Sequence, residues 1–164
     1  MNRRPILILA DIIKDFMGLN DDQIYINNQD FDPNTSPNLF VTIEPTTSIV
    51  MSNNNRFNPD TEQQIINTNY KEGYAINIRS KDESASIREK ELVAALVSDF
   101  SRNKQEEYFF QIAPVPPIGG TNTSVLEGEG ILTRSTLNIT IFTHYSIAKA
   151  TAIYDNFNNS IENE

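Results

Sequence analysis

One stretch, EGYAINIRSKDESASIREKELVAALVSDF at residues 72–100, limits the fold more than any other. Its first half alternates, with Tyr74, Ile76 and Ile78 on one face, the two-residue period of a half-buried strand. Its second half is spaced like a helix. Ala85, Leu92, Val93, Leu96, Val97 and Phe100 form an apolar stripe, and Arg88, Glu89, Lys90, Glu91 and Asp99 face water. The joint between them, SKDESAS, is rich in capping residues. Ser86 and Glu89 satisfy the S-x-x-E capping box, and Asp82 and Ser84 are alternative caps one turn earlier. Asp82 and Glu83 also put negative charge at the positive end of the helix dipole. A chain with this unit must build a sheet with at least one helix laid across it.

The flanking sequence extends that plan. Residues 5–17 predict a helix with Ile6, Leu9, Ala10, Ile13, Phe16 and Met17 on one face, Pro5 in the first turn and Gly18 as the stop. The opening MNRRPILILA mimics a signal peptide, but its apolar run is short and is interrupted on its C-terminal side by Asp11, Lys14 and Asp15. No run approaches the ~20 apolar residues that span a bilayer. LFVTIEP at 39–45 predicts a strand stopped by Pro45. Residues 46–66 predict a hairpin with a long polar tip, and 67–79 a long strand carrying Tyr70 and Glu72 on the face of Tyr74. EYFFQIAPV at 107–115 predicts another strand, 114–130 a Pro/Gly/Thr loop, and 131–147 a long final strand. The expectation is an α+β fold, a mostly antiparallel sheet with helices packed on one face, in a single domain over residues 1–147. Residues 148–164 are expected to form a C-terminal helix or a partly disordered tail, with Ile153, Phe157 and Ile161 at four-residue spacing.

Little in the chain suggests chemistry. The net charge is −9, which repels phosphate backbones and argues against gripping nucleic acid. With no cysteine, disulfides, zinc knuckles and thiol catalysis are excluded. His144 is the only histidine, sits in the last predicted strand, and has no nucleophile or orienting acid near it in sequence. The doublets Asp21/Asp22 and Glu106/Glu107 read as solvated surface. NDDQ and NPDTEQQ lack calcium-loop spacing, and the glycines of IGG and GEG match no phosphate loop. No catalytic, cofactor-binding or metal-binding residues are assigned. Apolar residues in the two predicted loops, 46–66 and 114–130, are a different matter. Phe57, Ile65, Ile66, Pro116, Pro117, Ile118, Val125 and Leu126 have no reason to be exposed in a monomer, and they are candidates for a subunit or partner interface.

Several elements in order carry a family likeness. A strand of the PNLFVTIEP kind comes after an N-terminal helix. YAINIRSKDE then leads into the helix EKELVAALVSDF, and a long last strand ends in LNITIFTHYS. Over roughly residues 5–147 the chain resembles the neck or tail-terminator proteins of tailed bacteriophages. The likeness rests on element order and texture, not on an invariant motif.

That resemblance implies a virion structural protein without catalysis or cofactors. It implies a ring of copies of itself, typically six, on the head-proximal end of the tail tube. The ring's partners are the tail tube protein and a connector or stopper protein, with the sheath as a further candidate. DNA passes through the lumen without sequence-specific binding, and no membrane is involved. The location is the tail or neck of the virion, reached from the host cytoplasm during assembly. Stopper, tail-completion or sheath-end roles in the same particle are alternatives, and a small ligand-binding or enzymatic α+β domain is a third.

Overall fold

A computed structural model describes residues 4–26, 38–115, 123–127 and 130–150, with only the backbone course at 123–127 and 130–132. The first helix, α1 (Pro5–Met17), starts on proline, whose missing N–H costs nothing there, and ends at Gly18 in the left-handed region at φ 63°. Its buried face holds Ile6, Ile8, Leu9, Ala10, Ile12, Ile13 and Met17. That face is wider than the predicted stripe, and it leaves Phe16 exposed. A second helix crosses α1, so residues on two sides of it are covered.

The sheet has six strands: β1 (Ile24–Ile26), β2 (Leu39–Asn58), β3 (Gln63–Ser80), β4 (Phe110–Ile112), β5 (Thr123–Glu127) and β6 (Gly130–Ala150). Their order is β1-β2-β3-β6-β4, and β5 also pairs with β6. Only β1 and β2 run parallel, so the sheet is mostly antiparallel as expected. Residues directly opposite one another share a face. One row reads Ile24, Val41, Ile78, Ser135 and the next Ile26, Ile43, Ile76, Leu137. These rows, with Tyr74, Ile139, Ile141 and Ile112, form one core with α1 and α2 (Ser84–Val97). The fold is α+β, with its helices over one sheet face.

The start of α2 is capped from the strand side. Ser84 N–H donates to Asp82 Oδ1 at 2.8 Å, and Ala85 N–H donates to Ser80 Oγ at 2.9 Å. Asn38 Nδ2 also donates to Asp82 Oδ2 at 2.7 Å. The Ser84 bonds, and then the Asn38 bond, hold the Asp82 carboxyl below its ordinary range. The Ser86–Glu89 box is therefore not used. Glu89 is only 8% exposed, contrary to the expectation that it faces water. Arg88 Nη2 donates to the Met17 carbonyl at 2.5 Å, tying α2 to the end of α1.

Further expectations are corrected. The helix does not run through Phe100. It stops at Val97, and Ser98 caps a new helix, α3 (Asp99–Tyr108), by accepting from Ser101 N–H at 3.1 Å. Val97 and Phe100 consequently lie exposed, while Ala95 is buried. The helix-forming run RNKQEEY shortens the strand expected at 107–115 to β4, and places Glu106 and Glu107 on a helix.

Pro45 does not stop β2. Among the described residues β1 pairs only with 41–43 and no strand lies outside Pro45, so no N–H is required there, and a register shift follows between Pro45 and Thr47. The hairpin expected at 46–66 is present, but its polar tip is strand almost to the end: β2 and β3 run to a turn at 59–62, and 114–130 contains β5. β6 also continues to Ala150, so 148–150 are strand, not helix. Residues 151–164, including Ile153, Phe157 and Ile161, lie outside the described residues.

The irregularity at Thr46 has a partner across the ladder. A Cβ built on Gly73 would lie 2.5 Å from Thr47 Oγ1 and 2.6 Å from Thr46 Oγ1. Both threonines are β-branched, and moving their hydroxyls pushes their methyl groups elsewhere. Gly73→Ala is expected to destabilise the fold by about 1–3 kcal/mol, checked by the urea midpoint of the variant.

Candidate functional site

Past residue 43 of β2 and residue 143 of β6, the described sheet narrows to β2, β3 and β6 alone. These three strands continue as an arm ending at the turn 59–62. From Thr47 to Asn58 the arm is roughly 35–40 Å long at ~3.3 Å per residue. Every residue from Pro45 to Phe57 is exposed. Two register shifts, Pro45/Thr47 and Val50/Ser52, mark its root. Such bulges sharpen local twist and re-aim a strand. From Ser52 to the tip the pairing with β3 is unbroken.

The register assigns the arm's side chains to faces. On the helix side, Val50, Tyr70 and Thr143 form one row, Asn55, Ile66 and Ile147 another, and Phe57, Gln64 and Lys149 the row nearest the tip. On the opposite side, Arg56, Ile65 and Ala148 form a row. Ser52, Asn69 and His144 make a hydrogen-bonded row there: Asn69 Nδ2 donates to Ser52 Oγ, and Asn69 Oδ1 accepts from His144 Nδ1–H, both at 2.8 Å. This fixes the imidazole as a cross-strand tie.

The arm gathers three of the predicted interface residues. Phe57 is 48% exposed and shares a face with Ile66, while Ile65 points the other way. Val125 and Leu126 belong to β5, not to a loop, and pair with Leu132 and Ile131 at the far end of β6. From Leu132 to Ile147, beside Ile66, is roughly 50 Å along one strand. The structure does not bring the two groups together. Pro116, Pro117 and Ile118 lie outside the described residues.

The prediction missed Ile49, Val50 and Met51, which are 54%, 55% and 58% exposed in the arm. It also missed Phe109, 78% exposed at the arm's root. Phe109 ends α3 at φ 54°, ψ 48°, a left-handed conformation that a bulky side chain rarely adopts. That turn swings its ring outward while Phe110 enters the core. The only sequence signal was the Phe-Phe pair itself. Phe109→Gly is expected to raise stability by roughly 0.5–1 kcal/mol, the relieved strain less glycine's added unfolded-state entropy. Its denaturation midpoint checks this.

Between Phe109 and the arm lies a cleft of about 330 Å³, lined among others by Arg4, Tyr70, Glu72, Tyr108, Phe110 and Tyr145. Glu72, one of the lining residues, accepts from the Tyr74 hydroxyl at 3.1 Å. Burial, and then the Glu72 charge, raise the Tyr74 phenol above its ordinary range. The cleft is an aromatic-walled hollow with one engaged carboxylate. Among the described residues no group of three or more histidine or acidic side chains is placed to hold a metal. None of their helices is long and apolar enough to cross a membrane. The chain matches no family model, and no curated protein matches it in sequence.

Proposed function

We propose that this chain is a structural protein of a tailed-bacteriophage particle, a ring subunit that terminates the tail tube and joins it to the head–tail connector. The observation that carries the reading is the arm. A small α+β body holds out three strands, of which β2 is exposed on both faces from Pro45 to Phe57, β6 mostly so, and the central β3 half-buried, with Ile49, Val50, Met51 and Phe57 among the exposed side chains. A monomer gains nothing by exposing such a surface, and a surface of this kind marks an interface. Its position fits the resemblance of residues 5–147 to neck and tail-terminator proteins. On this reading the protein performs no catalysis, works in the virion tail or neck, and lets DNA pass through the ring.

The distance between the arm tip and β5 supports separate contacts at the two ends of one subunit. One end would meet neighbours in the ring and the other a partner stacked on it, either tube or connector. Stopper, tail-completion and sheath-end roles use a similar subunit, and partner choice distinguishes them. The test is light scattering with particle imaging, on the chain alone and mixed with tube protein or connector from the same particle. Ring-sized particles that cap tubes are the expected result. A strict monomer that ignores both partners overturns the proposal.

A further inference from the structure

We propose that copies of this chain join through their arms edge to edge, the outer edge of β2 in one copy adding to the outer edge of β6 in the next. This rests on the ring reading above and names the contact that would build it.

Each arm presents two unpaired strand edges among the described residues. β2 has β3 on one side and, beyond Ile43, no described strand on the other. β6 has β3 on one side and, beyond Thr143, no described strand on the other. An exposed edge is a row of unused N–H and C=O groups, and monomeric proteins blunt such edges with charge, proline or bulges. Here Pro45 and the two register shifts protect only the root. Residues 46–55 of β2 carry no charged side chain, and neither do residues 145–148 of β6.

The charge of the arm favours a second copy as the occupant. The chain as a whole carries −9, which would hold copies apart. The arm carries Arg56, Lys71 and Lys149 against Glu72 on its strands and Asp60 and Glu62 in its turn, a balanced set, so the net repulsion of the whole chain is missing where the edges lie. A copy of the same chain also supplies the complementary edge at the right height. Asn54, Asn67 and Ser146 lie in one row across β2, β3 and β6, so the two free edges end level with each other. With arms side by side, β6 and the next β2 run parallel, because each is antiparallel to β3. This head-to-tail join uses both edges of every copy and closes only as a ring. A β2-to-β2 join would instead stop at a dimer with both β6 edges left open.

The chain has no cysteine, so cross-linking tests the contact directly. The double variant Asn54→Cys with Ser146→Cys places thiols on opposite edges of one arm. Within a copy β3 separates them by two strand spacings, roughly 10 Å, too far for a disulfide. Under oxidation, alone and with tube protein, most of the double variant is expected to run as multimers larger than a dimer on denaturing gels. Either single variant should stay monomeric. Offset pairs, Ser52 or Arg56 against His144 or Ala148, cover a shifted register. A disulfide dimer from Asn54→Cys alone overturns the head-to-tail join in favour of a twofold one. Rings seen by light scattering with no cross-link from any pair overturn edge pairing and leave the ring reading standing. No assembly in any mixture overturns both.

Discussion

Asn77→Ala lowers the free energy of unfolding by about 2–4 kcal/mol, read from urea unfolding of the isolated chain. Asn77 lies on the sheet face away from the helices and is fully buried. Its Oδ1 accepts from Thr136 Oγ1 at 2.8 Å and from Arg134 Nη2 and Nε at 2.8 and 3.1 Å. Its Nδ2 donates to Thr42 Oγ1 at 3.2 Å. One amide thus links β2, β3 and β6 and receives two of the guanidinium's bonds, Arg134 Nε also donating to Thr136 Oγ1 at 3.2 Å. Alanine would leave the part-buried guanidinium with Thr136 Oγ1 as its remaining bond in the cluster and take a partner from the Thr42 and Thr136 hydroxyls, and the cost of unmet groups exceeds the net worth of the bonds. Asn77→Asp makes a useful partner variant. It returns an acceptor to Arg134 but no donor to Thr42, so it should recover part of the loss. If both variants unfold at the parent midpoint, the cluster is not a tie between strands.

Ile76→Ala is expected to cost about 2–5 kcal/mol, while Ile49→Ala should change monomer stability by less than about 0.5 kcal/mol. Ile76 is completely buried between Ile43 and Leu137 under the helices, and truncating it opens a cavity that its rigid neighbours cannot fill. Ile49 is more than half exposed in the arm and fills nothing in its own chain. In assembly the ranking should reverse. Under stabilising conditions Ile76→Ala should still form particles, whereas Ile49→Ala should weaken them. Denaturant curves and light scattering on the two variants give both rankings. Equal destabilisation by the two substitutions would mean that the arm is part of the core.

The body was far more legible in the sequence than the arm, and the reason is burial. Val41, Ile43, Ile76, Ile78, Leu137 and Ile139 alternate because one face of each strand meets α1 or α2 and the other does not. In TTSIVMSNNNRFN neither face is covered, so nothing imposes a period, and the outer part of the hairpin reads as a polar tip where the structure has strand. Pro45 looked like a stop because sequence alone does not show that its position is an outer edge. The helix start shows a related ambiguity. Ser86–Glu89 and Ser80–Asp82 both satisfy local capping chemistry, and tertiary placement selects the second because Ser80 ends a strand directly beneath the helix. Phe57, Ile65 and Ile66 stand out in the sequence as apolar residues in a polar segment, but their division between two faces depends on the register with β3 and β6.

The pairing of β3 with β6 has a consequence for how the chain folds. β2 and β3 are joined by a short turn, so their hairpin closes locally, on the ~1–10 μs scale of such structures. β6 pairs with β3 from Ser80–Thr133 outward, across an intervening segment that contains both α2 and α3. That closure is long-range and comes late. Until it happens, the hairpin offers the inner edge of β3, which only β6 can satisfy in register. A nearby chain carries the same β6. During synthesis of many copies in one place, the order of events therefore decides whether each arm is completed by its own last strand or by a borrowed one, a domain swap.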